Sequence, residues 1–384
     1  MTQRPPLPAL TGLRFVAAAQ VVAFHAHAMV PSLRDNPTLT YLGAGYSGVS
    51  LFFVLSGFVL SYNYLTPDGR GVASLRDFLT ARFARVYAVY LVGIALAFPI
   101  FVRELQRSGD AGAALRSGLP ITAASLTLLQ AWIPPYACRL NCPGWSLSVE
   151  AFFYLIFPLI GAWLCRGQRN ALIGVCALCW LFACGLVLAY LRFGPERISG
   201  VTSLTTSASL AVIKFNPLLR LPEFVLGVSA GVIFLRRPDA LQRIAGPLSI
   251  VTLGLIGAVL SQHERLPYLL IHNGILAPLY AVLVLALACG GGPLAALLST
   301  RILSLLGEAS FALYLLHVAL LFYVVKALSA IHLSIDKTPA LIVVYLVIAQ
   351  AISILVLQRI EKPARNFIRA RFATARPRNR IVSA

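Results

Sequence analysis

Residues 170–191 of the chain, NALIGVCALCWLFACGLVLAYL, contain no charged side chain. A helix rises about 1.5 Å per residue, so roughly 20 apolar residues cross the hydrocarbon core of a bilayer. The rest of the 384-residue chain is similar, since 59% of its residues are hydrophobic and only 12% are charged. Its mean hydropathy of +0.81 exceeds that of soluble globular proteins. The sequence therefore predicts an all-α, polytopic integral membrane protein.

Apolar runs of this length recur along the chain, and we predict about ten membrane-spanning helices. Their approximate positions are 9–30, 47–65, 84–102, 146–165, 170–191, 219–235, 245–262, 271–290, 303–328 and 339–360. The run at 119–132 is shorter and leads into Pro134 and Pro135, which favours a re-entrant or interfacial segment over a further span. We therefore expect one membrane domain at residues 1–360. Residues 361–384 form a basic tail, too short for a separate folded domain.

The distribution of charge predicts the orientation of the helices. With ten spans and an inner N-terminus, the inner segments hold about twice as many Lys and Arg residues as the outer loops, so the positive-inside rule places both termini in the cytoplasm. The net charge of +19 is spread over short inner loops and the tail, where orientation and anionic lipid headgroups account for it. We therefore expect membrane lipids, and no nucleic acid, as partners. Between Arg359 and Arg380, apolar residues alternate with cations, which is typical of an amphipathic segment on the inner leaflet.

Two of the seven cysteines, Cys138 and Cys142, lie close together in a predicted outer loop. In an oxidising compartment they can form a disulfide, and the sequence leaves the bonded and the free forms open. The loop has too few ligands for zinc, so we predict no metal site.

The first predicted span contains Arg14 and His25, two ionisable residues that are eleven positions apart. Eleven residues turn a helix through about 1,100°, so the two side chains share a face about 16 Å apart along the axis. Because polar groups are costly within a membrane, both are candidates for function. Arg14 lies near the inner end, where it can bind a phosphate or a thioester carbonyl, and His25 lies deeper, where it can transfer a proton. The alternative is a snorkelling arginine and a hydrogen-bonded core histidine. His27 points about 200° away and is expected to be structural.

Five blocks, in order along the chain, carry a resemblance to a known family. They are LTGLR (10–14) with His25, GVSLFFVLSGFVLSY (48–62), RFARVYAVYL (82–91), WSLSVEAFFYLIFP (145–158) and LGEASFALYLLHV (306–318). Together they closely resemble the acyltransferase-3 family of membrane-embedded acyltransferases, and the resemblance covers nearly the whole chain. It implies an O-acetyltransferase that moves an acyl group, usually acetyl, from cytoplasmic acyl-CoA to a hydroxyl of an envelope or exported saccharide. It also implies a bacterial inner-membrane location and a catalytic role for Arg14 and His25.

We expect no permanently bound cofactor, with acetyl-CoA or another acyl-CoA as the donor substrate. Arg82 and Arg85 are three residues apart at the inner start of the third span, a favourable place for the phosphates of coenzyme A. Arg14 is a further candidate for donor binding. The alternative for Arg82 and Arg85 is ordinary positive-inside charge.

Other polar residues are candidates for the acceptor side of the reaction. Glu150, in the block WSLSVE, is placed to orient His25 or to bind an acceptor hydroxyl. Tyr314 and His317 are three residues apart on one face of the ninth span and are assigned to acceptor binding or proton movement. The alternative for His317 is a hydrogen bond to a facing helix. Another intramembrane acid, Glu223, lies three residues after an arginine and is expected to form a structural pair with it.

The predicted mechanism is direct transfer, in which neutral His25 takes the proton of the acceptor hydroxyl while Arg14 or nearby donors stabilise the oxyanion. A route through an acylated side chain remains an alternative. A transporter of a small polar or saccharide substrate would also bury such groups. Within the enzyme class, the acceptor is a surface or lipid-linked saccharide or a glycosylated small molecule. Some relatives carry an additional extracytoplasmic domain, and we expect this chain to work without one or with a separate partner.

Overall fold

The structure is a computed structural model that describes residues 4–66, 72, 74–107, 111–195, 207–236, 241–335 and 340–372. No strand occurs among these residues. The α-helices are, in chain order, α1 (Pro8–Met29), α2 (Pro31–Arg34), α3 (Gly48–Tyr64), α4 (Leu75–Arg107), α5 (Ala111–Leu126), α6 (Trp145–Arg166), α7 (Arg169–Phe193), α8 (Ala208–Phe215), α9 (Leu221–Arg236), α10 (Ala245–Ser261), α11 (Tyr268–His272), α12 (Ala277–Cys289), α13 (Gly292–Leu298), α14 (Arg301–Ala330), α15 (Ala340–Val356) and α16 (Lys362–Phe372). A 3-10 segment at Pro37–Ser47 leads directly into α3.

The helices confirm the predicted fold class. In the described ranges, eight helical stretches are long and apolar enough to cross a membrane: Pro8–Met29, Pro37–Tyr64, Leu75–Arg107, Cys142–Arg166, Asn170–Phe193, Tyr268–Cys289, Arg301–Ala330 and Ala340–Ile368. The two other predicted spans, 219–235 and 245–262, correspond to α9 and α10, which have 16 and 17 residues. Large apolar side chains cover the outside of the bundle, among them Leu178 on α7 and Val347 on α15, which are 69% and 63% exposed. Such a surface suits contact with lipid.

The apolar run at 119–132 belongs to α5, which begins earlier than predicted, at Ala111, and has 16 residues with Pro120 inside. After it, the chain turns through short 3-10 segments at Gln130–Trp132 and Pro134–Tyr136. Leu115 and Leu119 are 67% and 65% exposed. The helix is too short to count among the membrane-crossing stretches and presents apolar side chains to the surroundings, as an interfacial segment does.

Helices α3 and α9 pack with their backbones in close approach. A Cβ at Gly57 would lie 2.3 Å from the carbonyl oxygen of Phe224, and a Cβ at Gly227 would lie 2.1 Å from that of Val54. Small residues permit such contacts within membranes, where close packing replaces the hydrophobic effect as the source of association. This contact holds α3, which contributes polar residues to the site described below, against α9.

A second close approach joins α1 to α14. A Cβ at Gly307 would lie 1.9 Å from the carbonyl oxygen of Thr11, so only glycine fits at this crossing. The two helices run side by side from this point, which brings the ionisable residues of α1 next to those of α14. We call the end of the bundle where α1, α4 and α14 begin the basic end, because Arg14, Arg82 and Arg85 lie near it.

The C-terminal part of the chain is helical beyond the last predicted span. A π-helical turn at Leu357–Glu361 joins α15 to α16 without a break, and α16 packs along α4. Phe367 on α16 is 70% exposed. One face of the predicted amphipathic segment therefore contacts the bundle, and residues 373–384 lie outside the described part.

Candidate active site

A cavity of about 450 Å³ lies between α1, α3, α4, α6, α14 and the turn that leads into α16. Glu308 and Lys362 line it and are 49% and 41% exposed, so they stand at its mouth, at the basic end. Tyr314 and Ser146 line its deep part. The Tyr314 hydroxyl donates a hydrogen bond to Ser146 Oγ at 2.8 Å.

Three arginines of α1 and α4 line this cavity: Arg14, Arg82 and Arg85. Arg82 is 7% exposed, and its Nη2 donates to the hydroxyl of Tyr64 at 3.0 Å. The Arg14 guanidinium makes no hydrogen bond or ion pair with any residue that the structure describes. Like charges so close together in a partly enclosed space favour the binding of an anion. The structure thus brings together the three residues predicted to bind the donor.

Glu150 also lines the cavity. Its Oε1 accepts a hydrogen bond from Ser56 Oγ at 2.9 Å, and it is hydrogen-bonded to Tyr154, one turn later on α6. Its charge interacts favourably with that of Arg14. Glu150 is therefore placed beside Arg14, and none of the hydrogen bonds described for it reaches His25.

His25 lies beyond the cavity wall and contacts His317 of α14. The distance between His25 Nδ1 and His317 Nε2 is 3.1 Å, and the ring centroids are 4.8 Å apart. This contact is the hydrogen bond to a facing helix that the sequence offered as the alternative for His317. The sequence did not identify His25 as the partner, because nothing in either motif shows that α1 packs against α14 at this depth. His317 is fully buried, whereas His25 is partly exposed.

The backbone around the two histidines determines where their protons lie. His317 Nδ1 is 2.7 Å from the carbonyl oxygen of Tyr314, and His25 Nδ1 is 2.9 Å from that of Val21. A carbonyl oxygen can only accept, so each Nδ1 must carry the hydrogen. In the neutral rings each Nε2 then has a lone pair. His317 Nε2 accepts from His25 Nδ1–H, and His25 Nε2 is left as a base.

Arg14 and His25 are thus separated by depth, as their spacing predicted. Arg14 lines the cavity and His25 does not. Tyr314 lies between them, since it lines the cavity while its ring lies 6.1 Å from that of His317 and 5.5 Å from that of Phe52. A molecule that enters from the basic end meets Arg14 first and reaches Tyr314 before the histidines.

A second polar cluster, fully buried, lies between α3, α9 and α11. Arg220 Nε and Glu223 Oε2 are 3.0 Å apart, with side chains 0% and 2% exposed, which confirms the predicted structural pair. Ser50 Oγ donates to Glu223 Oε1 at 2.5 Å, and Arg220 donates to the carbonyl oxygen of His272. The guanidinium also lies over the ring of Trp145, 5.8 Å from its centroid. Each charge is partnered, so the cluster joins three helices.

The two loop cysteines, Cys138 and Cys142, form a disulfide in the structure, which agrees with one of the two forms that the sequence left open. The loop leads through the 3-10 turn at Cys142–Gly144 into α6, whose first turn carries Trp145 and Ser146. Among the described residues, no group of three or more His, Cys, Asp or Glu side chains could hold a metal ion.

Comparisons with known proteins agree with this arrangement. A family profile described as "Acyltransferase domain", of the acyltransferase-3 type, matches residues 7–358. "Acyltransferase MdmB" of Streptomyces mycarofaciens is 32% identical over 83% of this chain and 79% of its own length. "Protein 2 in picA locus" of Rhizobium radiobacter is 34% identical over 48% of this chain and 98% of its own length.

A third relative, "Peptidoglycan O-acetyltransferase OatA" of Listeria monocytogenes, is 26% identical over 82% of this chain, which spans about half (49%) of that protein. No solved structure matches the chain. Because the family profile covers nearly all of the membrane bundle, including His25, His317, Arg14, Arg82 and Arg85, the chain belongs to the acyltransferase-3 family and is a membrane-bound acyltransferase.

Proposed function

We propose that the protein is an O-acetyltransferase that moves an acetyl group from cytoplasmic acetyl-CoA to a hydroxyl of a saccharide-bearing acceptor on the other side of the membrane. The observation that carries this proposal is a cavity that is lined by arginines and ends at Tyr314, whose ring lies 6.1 Å from that of His317, the partner of His25. The names of the OatA relatives support acetyl as the group and a cell-envelope saccharide as the acceptor. A lipid-linked saccharide or a glycosylated small molecule also carries sugar hydroxyls that can accept the acetyl group. The location that fits is the inner membrane of a bacterium, with both termini in the cytoplasm.

The donor is held by its phosphates at the basic end. Arg14, Arg82 and Arg85 carry charges in excess of Glu150, the acid among them, so the phosphates of coenzyme A have a favourable site. The pantetheine arm then extends past Arg14 toward Tyr314. This orientation carries the thioester into the bundle while the nucleotide stays at the mouth.

His25 acts as the general base through Nε2. Its proton-bearing Nδ1 is fixed by Val21 and His317, so the free lone pair has a defined direction. The acceptor hydroxyl gives its proton to Nε2 as its oxygen bonds to the thioester carbon. The tetrahedral intermediate then expels the coenzyme A thiolate, and the imidazolium returns the proton to that sulfur. The products are the acetyl ester and free coenzyme A.

Arg14 binds the donor rather than the reacting carbonyl. Eleven residues of helix separate it from His25 by about 16 Å along the axis, so the two side chains do not reach the same thioester. Tyr314, at the deep end of the cavity and adjacent to His317, has the hydroxyl that is placed to stabilise the oxyanion. The sequence predicted that Arg14 both binds the donor and stabilises the oxyanion. In this assignment Arg14 keeps the first role and Tyr314 takes the second.

Transfer by purified protein in nanodiscs, measured with radiolabelled acetyl-CoA and membranes that contain the acceptor, tests the proposal. His25→Gln should abolish transfer, whereas the matched variant His27→Gln, on the opposite face of α1, should keep it. Near-normal transfer by His25→Gln at equal thermal stability would exclude the mechanism. Uptake of a saccharide into vesicles without acetyl transfer would favour a transporter instead.

A second experiment identifies the acceptor. Mass spectrometry of surface glycans and exported glycosides from cells with and without the gene should show one acetyl group that is lost in the deletion strain. Wild-type protein should restore it and His25→Gln should not. Unchanged acetylation in the deletion strain would contradict the proposal.

A further inference from the structure

The family match ends at residue 358, but the wall of the cavity continues beyond it. Glu361, Lys362 and Arg365 all line the cavity. They belong to the π-helical turn at Leu357–Glu361 and to the first turn of α16. Part of the cavity wall is therefore built by residues that follow the matched region.

The π turn places these residues on the cavity. Leu357, Glu361 and Arg365 are spaced four residues apart, so they form one stripe along the helix, and all three line the cavity. Single π turns within α-helices occur often at functional sites, because they change the direction in which the following side chains point. The stripe faces α4, the helix that carries Arg82 and Arg85.

Several buried polar atoms on this wall have no partner among the described residues. Glu361 is 4% exposed and its Oε2 lacks a hydrogen bond. The Nε atoms of Arg82 and Arg365 are also buried without one. Buried polar groups in folded proteins are almost always satisfied, and a buried charge without a partner is costly. The two arginine Nε atoms are donors on the wall of one cavity, which indicates that a ligand with acceptor oxygens completes their hydrogen bonding.

The charges show which ligand fits. The four cations Arg82, Arg85, Lys362 and Arg365 outnumber the two acids Glu361 and Glu308. The Lys362 ammonium is paired with Glu308 at 2.8 Å, at the exposed mouth. Glu361 interacts electrostatically with Arg85 and Arg365, so it holds cations of α4 and α16 near each other across the cavity. Two helices that each present arginines suit a ligand with more than one phosphate.

We propose that Arg365 and Lys362, together with Arg82 and Arg85, bind the phosphates of a nucleotide-bearing donor, and that α16 is a structural part of the donor site. This inference rests on the proposed function, in which that donor is an acyl-CoA. The 3′-phosphate and the diphosphate of coenzyme A supply charges for cations on both helices.

The test is direct binding of three probes to full-length protein in nanodiscs by calorimetry: coenzyme A, its 3′-dephospho form and pantetheine. Arg365→Ala should weaken coenzyme A binding 10- to 100-fold and leave pantetheine binding unchanged. Arg365→Lys should show an intermediate loss, because lysine keeps the charge but not the two-pronged geometry. The matched control is Arg371→Ala, on an exposed position of the same helix and away from the cavity. It should bind coenzyme A as the wild type does.

The outcomes separate this inference from the proposed function. If the wild type binds coenzyme A and both Arg365→Ala and Lys362→Ala bind it within two-fold of wild type, α16 is not part of the donor site. If the wild type binds no coenzyme A and transfers no acetyl group, the proposed donor itself is wrong. Arg365→Ala protein that fails to fold is replaced by Arg365→Lys, for which unchanged binding also overturns the inference.

Discussion

Replacing His317 by phenylalanine tests the assignment of the base. In the structure, His317 Nε2 is one of two acceptors for His25 Nδ1–H, at 3.1 Å, and the Val21 carbonyl is the other, at 2.9 Å. The Val21 bond survives the substitution, so the tautomer of His25 is kept. In the variant, the one Nδ1–H of the His25 imidazolium that forms during the reaction keeps its Val21 acceptor and loses its hydrogen bond to His317. Such a bond contributes about 1.5–3 kcal/mol, so kcat should fall roughly 10- to 150-fold.

The assay for this prediction is the initial rate of acetyl transfer as a function of acetyl-CoA concentration. Because His317 does not line the donor cavity, KM for acetyl-CoA should change little while kcat falls. His317→Asn offers an amide oxygen as an acceptor and should lose less activity than His317→Phe. A His317→Phe protein with kcat within two-fold of wild type and an unchanged melting temperature would refute the proposed role of the histidine contact.

Three further predictions concern stability, each measured as the melting temperature of purified protein. Glu223→Gln should destabilise the protein by about 3–5 kcal/mol because it leaves the buried charge of Arg220 without its partner. A double variant with Met in place of both Arg220 and Glu223 should recover most of the lost stability. Equal losses of stability in the single and double variants would contradict this. Burial lowers the pKa of Lys214, on the short helix α8 outside the membrane-crossing stretches, from 10.5 to about 8, so the folded state disfavours the charged amine. Lys214→Met should therefore stabilise the protein below pH 8, by an amount on the order of 3 kcal/mol at most. This gain in stability should shrink as the pH rises from 8 to 10.5, because the lysine in the folded wild type is then increasingly neutral. A gain that does not depend on pH would show that burial of the charge is not its cause. Gly227→Val should separate α3 from α9 and lower the free energy of unfolding by about 1–3 kcal/mol or more. Gly254→Ala should have little effect, because a Cβ added at Gly254 has no neighbouring atom within 4 Å. Equal melting temperatures for the two variants would contradict the close packing.

The sequence predicted the helices well because membrane insertion depends on local composition. An apolar run long enough to cross the bilayer must be helical in order to satisfy its own backbone. Helix α5 was the least well predicted, since its first half, from Ala111, is less apolar and its helicity depends on contacts with α4. The 3-10 segment at Pro37–Ser47 was also missed, because it packs against α1 rather than following a local pattern.

The candidate site was predicted residue by residue but not in its connections. The helical spacing of Arg14 and His25 correctly indicated different depths on one helix. The contact between His25 and His317 depends on the glycine-mediated crossing of α1 and α14, which spacing within a single helix does not encode. Similarly, an amphipathic pattern around Arg365 suits a lipid surface and a protein surface equally well, so only the packing of α16 on α4 distinguishes them.

The enclosed Arg220 also constrains the order of biogenesis. When Arg220 leaves the ribosome, its partner Ser50 has already been synthesised. About fifty more residues must be added before His272 can supply its carbonyl oxygen. A guanidinium with incomplete hydrogen bonding is expensive in hydrocarbon. We therefore expect helix α9 to reach its final depth only after α11 has been synthesised.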